Sequence, residues 1–241
     1  MTPKFLDLPL NSPAEQLAAD EAMLDWAEEA LDEELLRLYE PTQPFVVLGV
    51  GNEVEREVDV ASCRALGIPI LRRCSGGGTV LQAPGCLNYS LVLRVPAGAG
   101  LRDIHSTHER VLGRHQGMLE RLLSAAVGIQ GTSDLTLGAL KFSGNAQRRK
   151  QRFVLYHGTF LLTADLDLIE KVLRMPSREP DYRRSRRHRD FLTLLPLKKE
   201  ALSIAIREVW EAKTLTPDFP ISRLATLVRD KYSLDAWNLR R

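Results

Sequence analysis

Two stretches of the 241-residue chain bring together residue types that handle an anion. In Arg72-Arg73-Cys74-Ser75-Gly76-Gly77-Gly78-Thr79, two fixed cationic donors stand next to three consecutive glycines. Glycine lets backbone N–H groups approach an anion closely, and guanidinium forks match carboxylate and phosphate oxygens. The same glycines also suit a tight turn between strands. No Gly-Lys-Ser/Thr follows, so the segment is not a Walker A loop, and no GxGxxG opens a helix. The second stretch is Lys141-Phe142-Ser143-Gly144-Asn145-Ala146-Gln147, followed by Tyr156-His157-Gly158-Thr159. A lysine on a strand beside a small-residue turn can set a point charge where negative charge develops during acyl activation. Taken singly, it reads as an exposed hairpin lysine.

The other residues with chemical potential point mostly to structure. His105, His108 and His115 share one side of a long helical stretch with no carboxylate-rich third element nearby, so they are expected to be solvated helix residues, with no metal site. Trp26, Trp210 and Trp237 read as packing anchors. Cys63, Cys74 and Cys86 are odd in number and match no zinc spacing, and they are expected to be small buried hydrophobes. With no apolar leader after Met1, a reducing cytoplasm is the expected compartment.

The elements that must carry these motifs are legible in outline. Ser12-Pro13-Ala14-Glu15 is a capping box with proline at the first helical position, and Leu17, Leu24, Ala27 and Leu31 recur at helical spacing after it. Glu34–Tyr39, Phe45–Gly49 and Ile68–Arg73 read as strands and Val58–Leu66 as a helix ended by Gly67. Leu87, Tyr89, Leu91, Leu93 and Val95 alternate, which sets Asn88 and Ser90 on the opposite face of their strand. Ile104–Val127 is the longest helical candidate. Strands and hairpins are expected from Asp134 to Leu162, then helices at Asp165–Arg174, Leu197–Lys213 and Ser222–Tyr232. This order predicts a single α/β domain over residues 1–241, a mixed sheet flanked by helices.

Composition sets the outer limits. Lys+Arg 33 against Asp+Glu 31 leaves a net charge of +2, and 44% hydrophobic with 27% charged residues describes a soluble domain with a large core. No stretch reaches the roughly 18 apolar residues of a membrane span. The charge is unevenly spread, because basic residues before Arg64 are limited to Lys4, Arg37 and Arg56. Positive charge concentrates in Lys141–Arg152 and in Arg183–Arg189, a run of five arginines and one histidine.

In their order and spacing, Arg72–Val80, Leu87–Leu91, Asp134-Leu135, Lys141–Gln147 and Tyr156–Leu162 together resemble the lipoate-protein ligase family, in the group it shares with biotin ligases and octanoyl transferases. Ala18–Ala22 and Arg189–Thr193 add to the resemblance. It implies an α/β catalytic domain covering nearly the whole chain and a two-step reaction. A lipoate carboxylate attacks the α-phosphate of ATP, with Mg²⁺, to give lipoyl-adenylate, and a lysine of a lipoyl acceptor domain then attacks the acyl carbon. Carried over, Lys141 is the catalytic residue at the carboxylate and activated phosphate. Arg72, Ser75, Gly76, Gly77, Gly78 and Thr79 line the acyl-adenylate pocket, and Asn88, Asp134, Gly144, Asn145, Ala146, His157 and Gly158 complete its walls.

Many ligases of this type carry a further C-terminal accessory domain. This chain ends at Arg241 without room for one, so a separate accessory protein or a reorganised C-terminal helix is expected to assist activation. The alternative within the group is an octanoyl or lipoyl transferase that takes its acyl group from a carrier without ATP. The cysteine-dependent transferases hold their nucleophile just before the lysine motif, and Gly128–Leu140 has no cysteine; a second class uses lysine alone. Biotin ligases expect a Gly-Arg-rich loop followed by Trp, which Arg72–Val80 does not match. A non-catalytic anion- or nucleic-acid-binding module would rest on Arg183–Arg189, which lacks interleaved aromatics. Nucleic acid is therefore not the expected partner; an acidic acceptor domain would be steered by the same charge.

Overall fold

In the computed structural model, which describes residues 2–95, 104–215 and 219–240, the chain runs in the order β1 (Lys4–Leu6), α1 (Pro13–Trp26), β2 (Leu35–Tyr39), β3 (Phe45–Leu48), α2 (Val54–Glu57), α3 (Val60–Ala65), β4 (Ile70–Arg72), β5 (Val80–Gln82) and β6 (Cys86–Arg94). It continues through α4 (Ile104–Leu123), β7 (Gly128–Gln130), β8 (Asp134–Leu137), β9 (Leu140–Arg149), β10 (Phe153–Leu161), α5 (Leu166–Val172), α6 (His188–Phe191), α7 (Lys199–Val209), β11 (Lys213–Leu215), α8 (Ile221–Leu227) and α9 (Asp235–Asn238). The capping box forms as the sequence implies. Ser12 Oγ accepts from the Glu15 N–H at 3.2 Å, and Glu15 Oε2 accepts from the Ser12 N–H at 2.9 Å.

The strands make a mixed sheet in the order β11-β1-β2-β6-β10-β9-β8-β7 and a small second sheet, β4-β3-β5. The large sheet is parallel from β11 to β2 and antiparallel from there on. One face packs Tyr89, Tyr156, Phe142 and Phe160 against Val111 and Leu112 of α4 and Leu202 and Ile206 of α7. On the other face, Val92 and Leu155 meet Ala18, Ala19, Ala22 and Met23 of α1, whose alanines allow the helix to lie close to the strands.

Register decides what this second face presents beyond α1. Directly opposed residues share a face, so Arg37, Ser90, His157 and Ala146 form one row across β2, β6, β10 and β9. Tyr39, Asn88, Thr159, Gly144 and Asp134 form the next.

Three features depart from the sequence reading. First, β6 is buried on both faces from Cys86 to Leu93, because it lies centrally in the sheet with helices or the small sheet above and below. Its alternation is thus core on one side and Asn88 and Ser90 in a polar interior on the other. Second, His108 and His115 are buried, while His105 is exposed. His108 Nδ1 lies 2.8 Å from the Tyr156 hydroxyl, and His115 Nε2 accepts from Trp210 Nε1 at 2.9 Å. Burial pulls them down to about 4 and about 3, so both imidazoles are neutral at pH 7. Third, β1, β7 and β11 are edge or near-edge strands of three residues, too short to show an alternation.

No helix among the described residues is long and apolar enough to cross a membrane.

Candidate active site

The two polar rows, apart from the fully buried Arg37, form the floor of a cavity of about 430 Å³. Above it stand the small sheet, the glycine loop and a wall segment from Pro176 to Leu192. Lys141 and Gly77–Thr79 line this one space. The loop hangs directly over β9, since a Cβ built on Gly77 would lie 3.5 Å from that of Ala146.

Lys141 is pinned before its amine does anything. Its backbone pairs with Thr136 of β8 across a register shift and bridges Leu192, and its carbonyl accepts from the Thr193 N–H at 2.8 Å. Its Nζ lies 2.7 Å from Asp134 Oδ1, and Asp134 Oδ2 accepts from the Tyr182 hydroxyl at 2.7 Å. Gly144 leaves the space that the ammonium occupies, because a Cβ there would be 2.8 Å from Nζ. Gly144→Ala is therefore expected to shift the amine and lower acyl transfer by about 10²-fold, while thermal unfolding moves by the equivalent of about 1 kcal/mol or less. Retained transfer in that variant would remove the argument that the amine's position matters.

The two arginines of the glycine loop divide their work. Successive strand residues point to opposite faces, and only Arg73 turns toward the cavity. Its Nε donates to Ser75 Oγ at 3.0 Å and to Gly76 O at 3.1 Å, and its Nη2 donates to Gly76 O at 2.6 Å and Gly78 O at 2.8 Å. The guanidinium thus serves as the template around which the loop folds. Burial lowers it to about 10, which keeps it cationic at pH 7. Gly77 sits at φ +89°, in the region that favours glycine, and a Cβ there would be 2.9 Å from Arg73 Nη2.

Arg72, which the sequence reading put in the pocket, is a correction. It is fully buried on the far side, where its guanidinium donates to the carbonyls of Gly49, Asn52, Trp237 and Arg240. Its own N–H donates to Asn238 Oδ1 at 3.1 Å, and its carbonyl accepts from Trp237 Nε1 at 2.8 Å. Arg72 therefore joins β4 to α9 and the residues that follow it.

Ser75, which is buried, and Gly76 are not on the cavity lining, whereas Thr79, Asn88, Asn145, Ala146, His157 and Gly158 line it. Ser75 Oγ lies 2.6 Å from His157 Nε2, and His157 Nδ1 lies 2.6 Å from Asp20 Oδ2. With Nδ1–H donated to the carboxylate, Nε2 accepts the serine hydroxyl. Asp20 Oδ1 accepts from Ser90 Oγ at 2.5 Å and lies 3.8 Å from the fully buried Arg37. The chain of bonds ties the loop to α1 through the sheet. A second polar chain runs from Gln82 Nε2 to Thr159 Oγ1 (2.7 Å) and from Thr159 Oγ1 to Asn88 Oδ1 (2.6 Å). Asn145 donates to Ser133 O and accepts from the Tyr89 hydroxyl, a crossing that the bare Cα of Gly158 permits.

Asp20, Arg37, Gln82, Thr159 and Tyr182 were not among the expected site residues, although Asp20 and Thr159 lie within stretches that carry the resemblance. Asp20 had left a signal: it falls at the helical spacing of the apolar stripe Leu17, Leu24 and Ala27, where a carboxylate has no place unless something buried binds it.

The basic run also changes meaning. Arg183 is buried over the Phe191 ring at 4.7 Å, and Arg186 lies 5.1 Å from the same ring. Arg187 pairs with Glu170 and Arg189 with Asp167, each at 2.7 Å. Arg183 and His188 of the run thus line the cavity, while the exposed Arg187 and Arg189 are paired with acids of the same chain.

Apolar side chains, among them Leu17, Val47, Val80, Leu161 and Leu192, complete the lining and form a slot suited to an alkyl chain. The three thiols are buried, and burial pushes Cys74 up to about 12 and Cys86 up to about 11, so neither is a thiolate at pH 7. Among the described residues, no group of three or more His, Cys, Asp or Glu is placed to hold a metal ion. The three carboxylates on the cavity lining are already engaged, Asp20 by His157 and Ser90, Asp134 by Lys141 and Tyr182, and Glu179 by Ser185 and Arg183. The donor set does not fit a resident Mg²⁺, and no step below is routed through one.

The profile of the lipoyl protein ligase A/B catalytic domain matches residues 12–205. The chain belongs to that family. Within this lipoyl ligase A/B family, the chain is 31% identical over 192 residues to octanoyltransferase LipM of Moorella thermoacetica, covering 72% of this chain and 70% of the relative. It is 28% identical to octanoyltransferase LipM of Carboxydothermus hydrogenoformans, covering 98% of each. Its fold superposes on a Thermoplasma acidophilum chain from a bi-partite lipoate protein ligase with TM-score 0.82 at 25% identity, covering 100% of this chain and 98% of that one. The matched region carries Asp20, Arg73, Lys141 and His157, so the lipoyl ligase A/B assignment covers both the cavity floor and the loop above it.

Proposed function

We propose that the chain forms an amide between a medium-chain acyl group and a lysine of a lipoyl acceptor domain, and that it activates lipoate with ATP to do so. The observation that carries this reading is the pairing of an ammonium, held over Gly144 by one carboxylate, with a glycine loop across an apolar slot that no thiolate reaches. In the first step a carboxylate oxygen of lipoate attacks the α-phosphorus and pyrophosphate leaves. Lys141 offsets the charge shared by the two anions, and the exposed Gly77 and Gly78 supply backbone N–H groups. In the second step the neutral amine of the acceptor lysine attacks the acyl carbon, its proton is released, and AMP leaves. Likeness to a protein described as a bi-partite lipoate protein ligase supports a reading in which this single catalytic domain works with a second protein during activation.

The other reading, transfer of octanoate from a carrier without ATP, is favoured by the names of the LipM relatives. There the acceptor amine attacks a thioester carbon and the carrier's thiol leaves, with Lys141 at the carbonyl oxygen. Intact mass of a lipoyl acceptor domain separates the two, after incubation with lipoate and ATP or with octanoyl-carrier protein alone. Acceptor modification only in the second mixture would replace the ligase reading by the transferase one. In either mixture the enzyme's own mass is expected to stay unchanged. An acyl adduct lost in Cys74→Ser or Cys86→Ser would overturn the thiol-independent chemistry.

A further inference from the structure

We infer that Tyr182 is a positioning residue for Lys141, acting through Asp134 and coupling the cavity wall to the lysine. The inference rests on the reading of Lys141 as the group that meets the reacting acyl carbonyl.

Asp134 has two oxygens and two partners from different parts of the chain. Lys141 takes Oδ1 at 2.7 Å and the Tyr182 hydroxyl takes Oδ2 at 2.7 Å. A carboxylate with one ionic partner can rotate about its terminal bond, a broad and roughly two-fold torsion. A second, fixed donor stops that rotation and so fixes where the ammonium sits. It also leaves Asp134 with a partner when Lys141 turns to a substrate anion, which matters because a buried carboxylate stripped of partners is costly.

Tyr182 is itself rigidly held. Its ring packs 5.2 Å from Phe191, and Arg183 and Arg186 lie over that same ring. Arg186 Nη2 donates to the Tyr182 carbonyl and to Ala139 O, both at 3.0 Å, and so reaches the β8–β9 turn. On the other side, Gly131 at φ +57° opens the turn that leads into Asp134, and a Cβ there would meet Pro180 at 3.1 Å and Tyr182 Cε1 at 3.5 Å. The wall residues Pro180 and Arg183, which flank Tyr182, line the cavity. A displacement of the wall by a bound acyl group is therefore passed to the lysine through one carboxylate.

Tyr182→Phe keeps the ring and removes only the hydroxyl. It is expected to lower kcat for acceptor modification about tenfold, to leave KM for the small acyl substrate within about twofold, and to leave the melting temperature nearly unchanged. In an Asp134→Asn background it should have no further effect on kcat, because its action passes through that carboxylate. A readout independent of turnover is the rate at which acetic anhydride labels Lys141 in ligand-free protein, followed by peptide mass. Labelling should rise about threefold or more in Tyr182→Phe, as the freed carboxylate releases the amine. Unchanged labelling, or a Tyr182→Phe effect that persists in Asp134→Asn, would overturn the inference. Faster labelling in a protein that modifies no acceptor with either donor would uphold it and defeat the proposed function instead.

Discussion

Lys141→Ala is expected to lower acceptor modification by at least about 10²–10³-fold, the loss seen when one preorganised donor to a developing oxyanion is removed. The fold should hardly notice. The Lys141–Asp134 pair is partly open to solvent and Tyr182 still bonds the carboxylate, so the stability lost is about 1 kcal/mol or less. Lys141→Arg should fail as well. The space over Gly144 admits a compact ammonium, since a single added Cβ already comes within 2.8 Å of Nζ, and a planar guanidinium is larger than the group it would replace. Acceptor mass and a thermal melt on the same preparations check both variants. Near-normal modification by either one would take the reaction away from this lysine.

Arg72→Ala is expected to give the largest stability loss. The change leaves at least four carbonyls without their charged donor and opens a void between β4 and the C-terminal helices. An expected cost of about 3–5 kcal/mol would lower the melting temperature by roughly 6–20 °C in a chain of this size. The loss should be local at first. Hydrogen exchange is expected to quicken in α9 before it does so in the large sheet, because that helix meets the small sheet through this side chain. Arg72→Lys should fall between, keeping the charge but not the fork. An Arg72→Ala protein with wild-type melting would mean that the interior guanidinium contributes no net stability.

The two arginines show what a sequence can and cannot disclose. Their position beside the glycines was legible, and so was the loop's partnership with the Lys141 hairpin. Which arginine faces the cavity was not, because that depends on the phase of a three-residue strand, and one residue of shift exchanges the faces. Ser12 and Glu15 were readable because their bonds span three residues. His157 and Asp20 bond across 137 positions, a pairing that no local pattern encodes. The partners of the basic run were hidden for a related reason. Its neutralising acids, Glu170 and Asp167, lie on α5 and meet the run only when the wall folds back. His108 and His115 looked solvated because nothing nearby in sequence announced Tyr156 or Trp210 as their partners.

The embrace of Arg72 by the C-terminal segment also bears on how the protein is made. Its guanidinium bonds carbonyls that lie 165 and 168 positions further along the chain. At a synthesis rate of about 5–20 residues per second, the small sheet waits roughly 8–35 s on the ribosome with this cation solvated. The loop grafted on that sheet has no finished support during the interval. The large sheet, whose strands β6, β9 and β10 pair as neighbours within residues 86–161, can close long before. Assembly of the cavity is thus expected to be ordered in time: its floor can form early, and the strand that leads into the glycine loop gains its last anchor only when residues 237–240 are in place. A nascent chain stalled short of them would carry the lysine and its carboxylate beneath a roof that lacks this anchor.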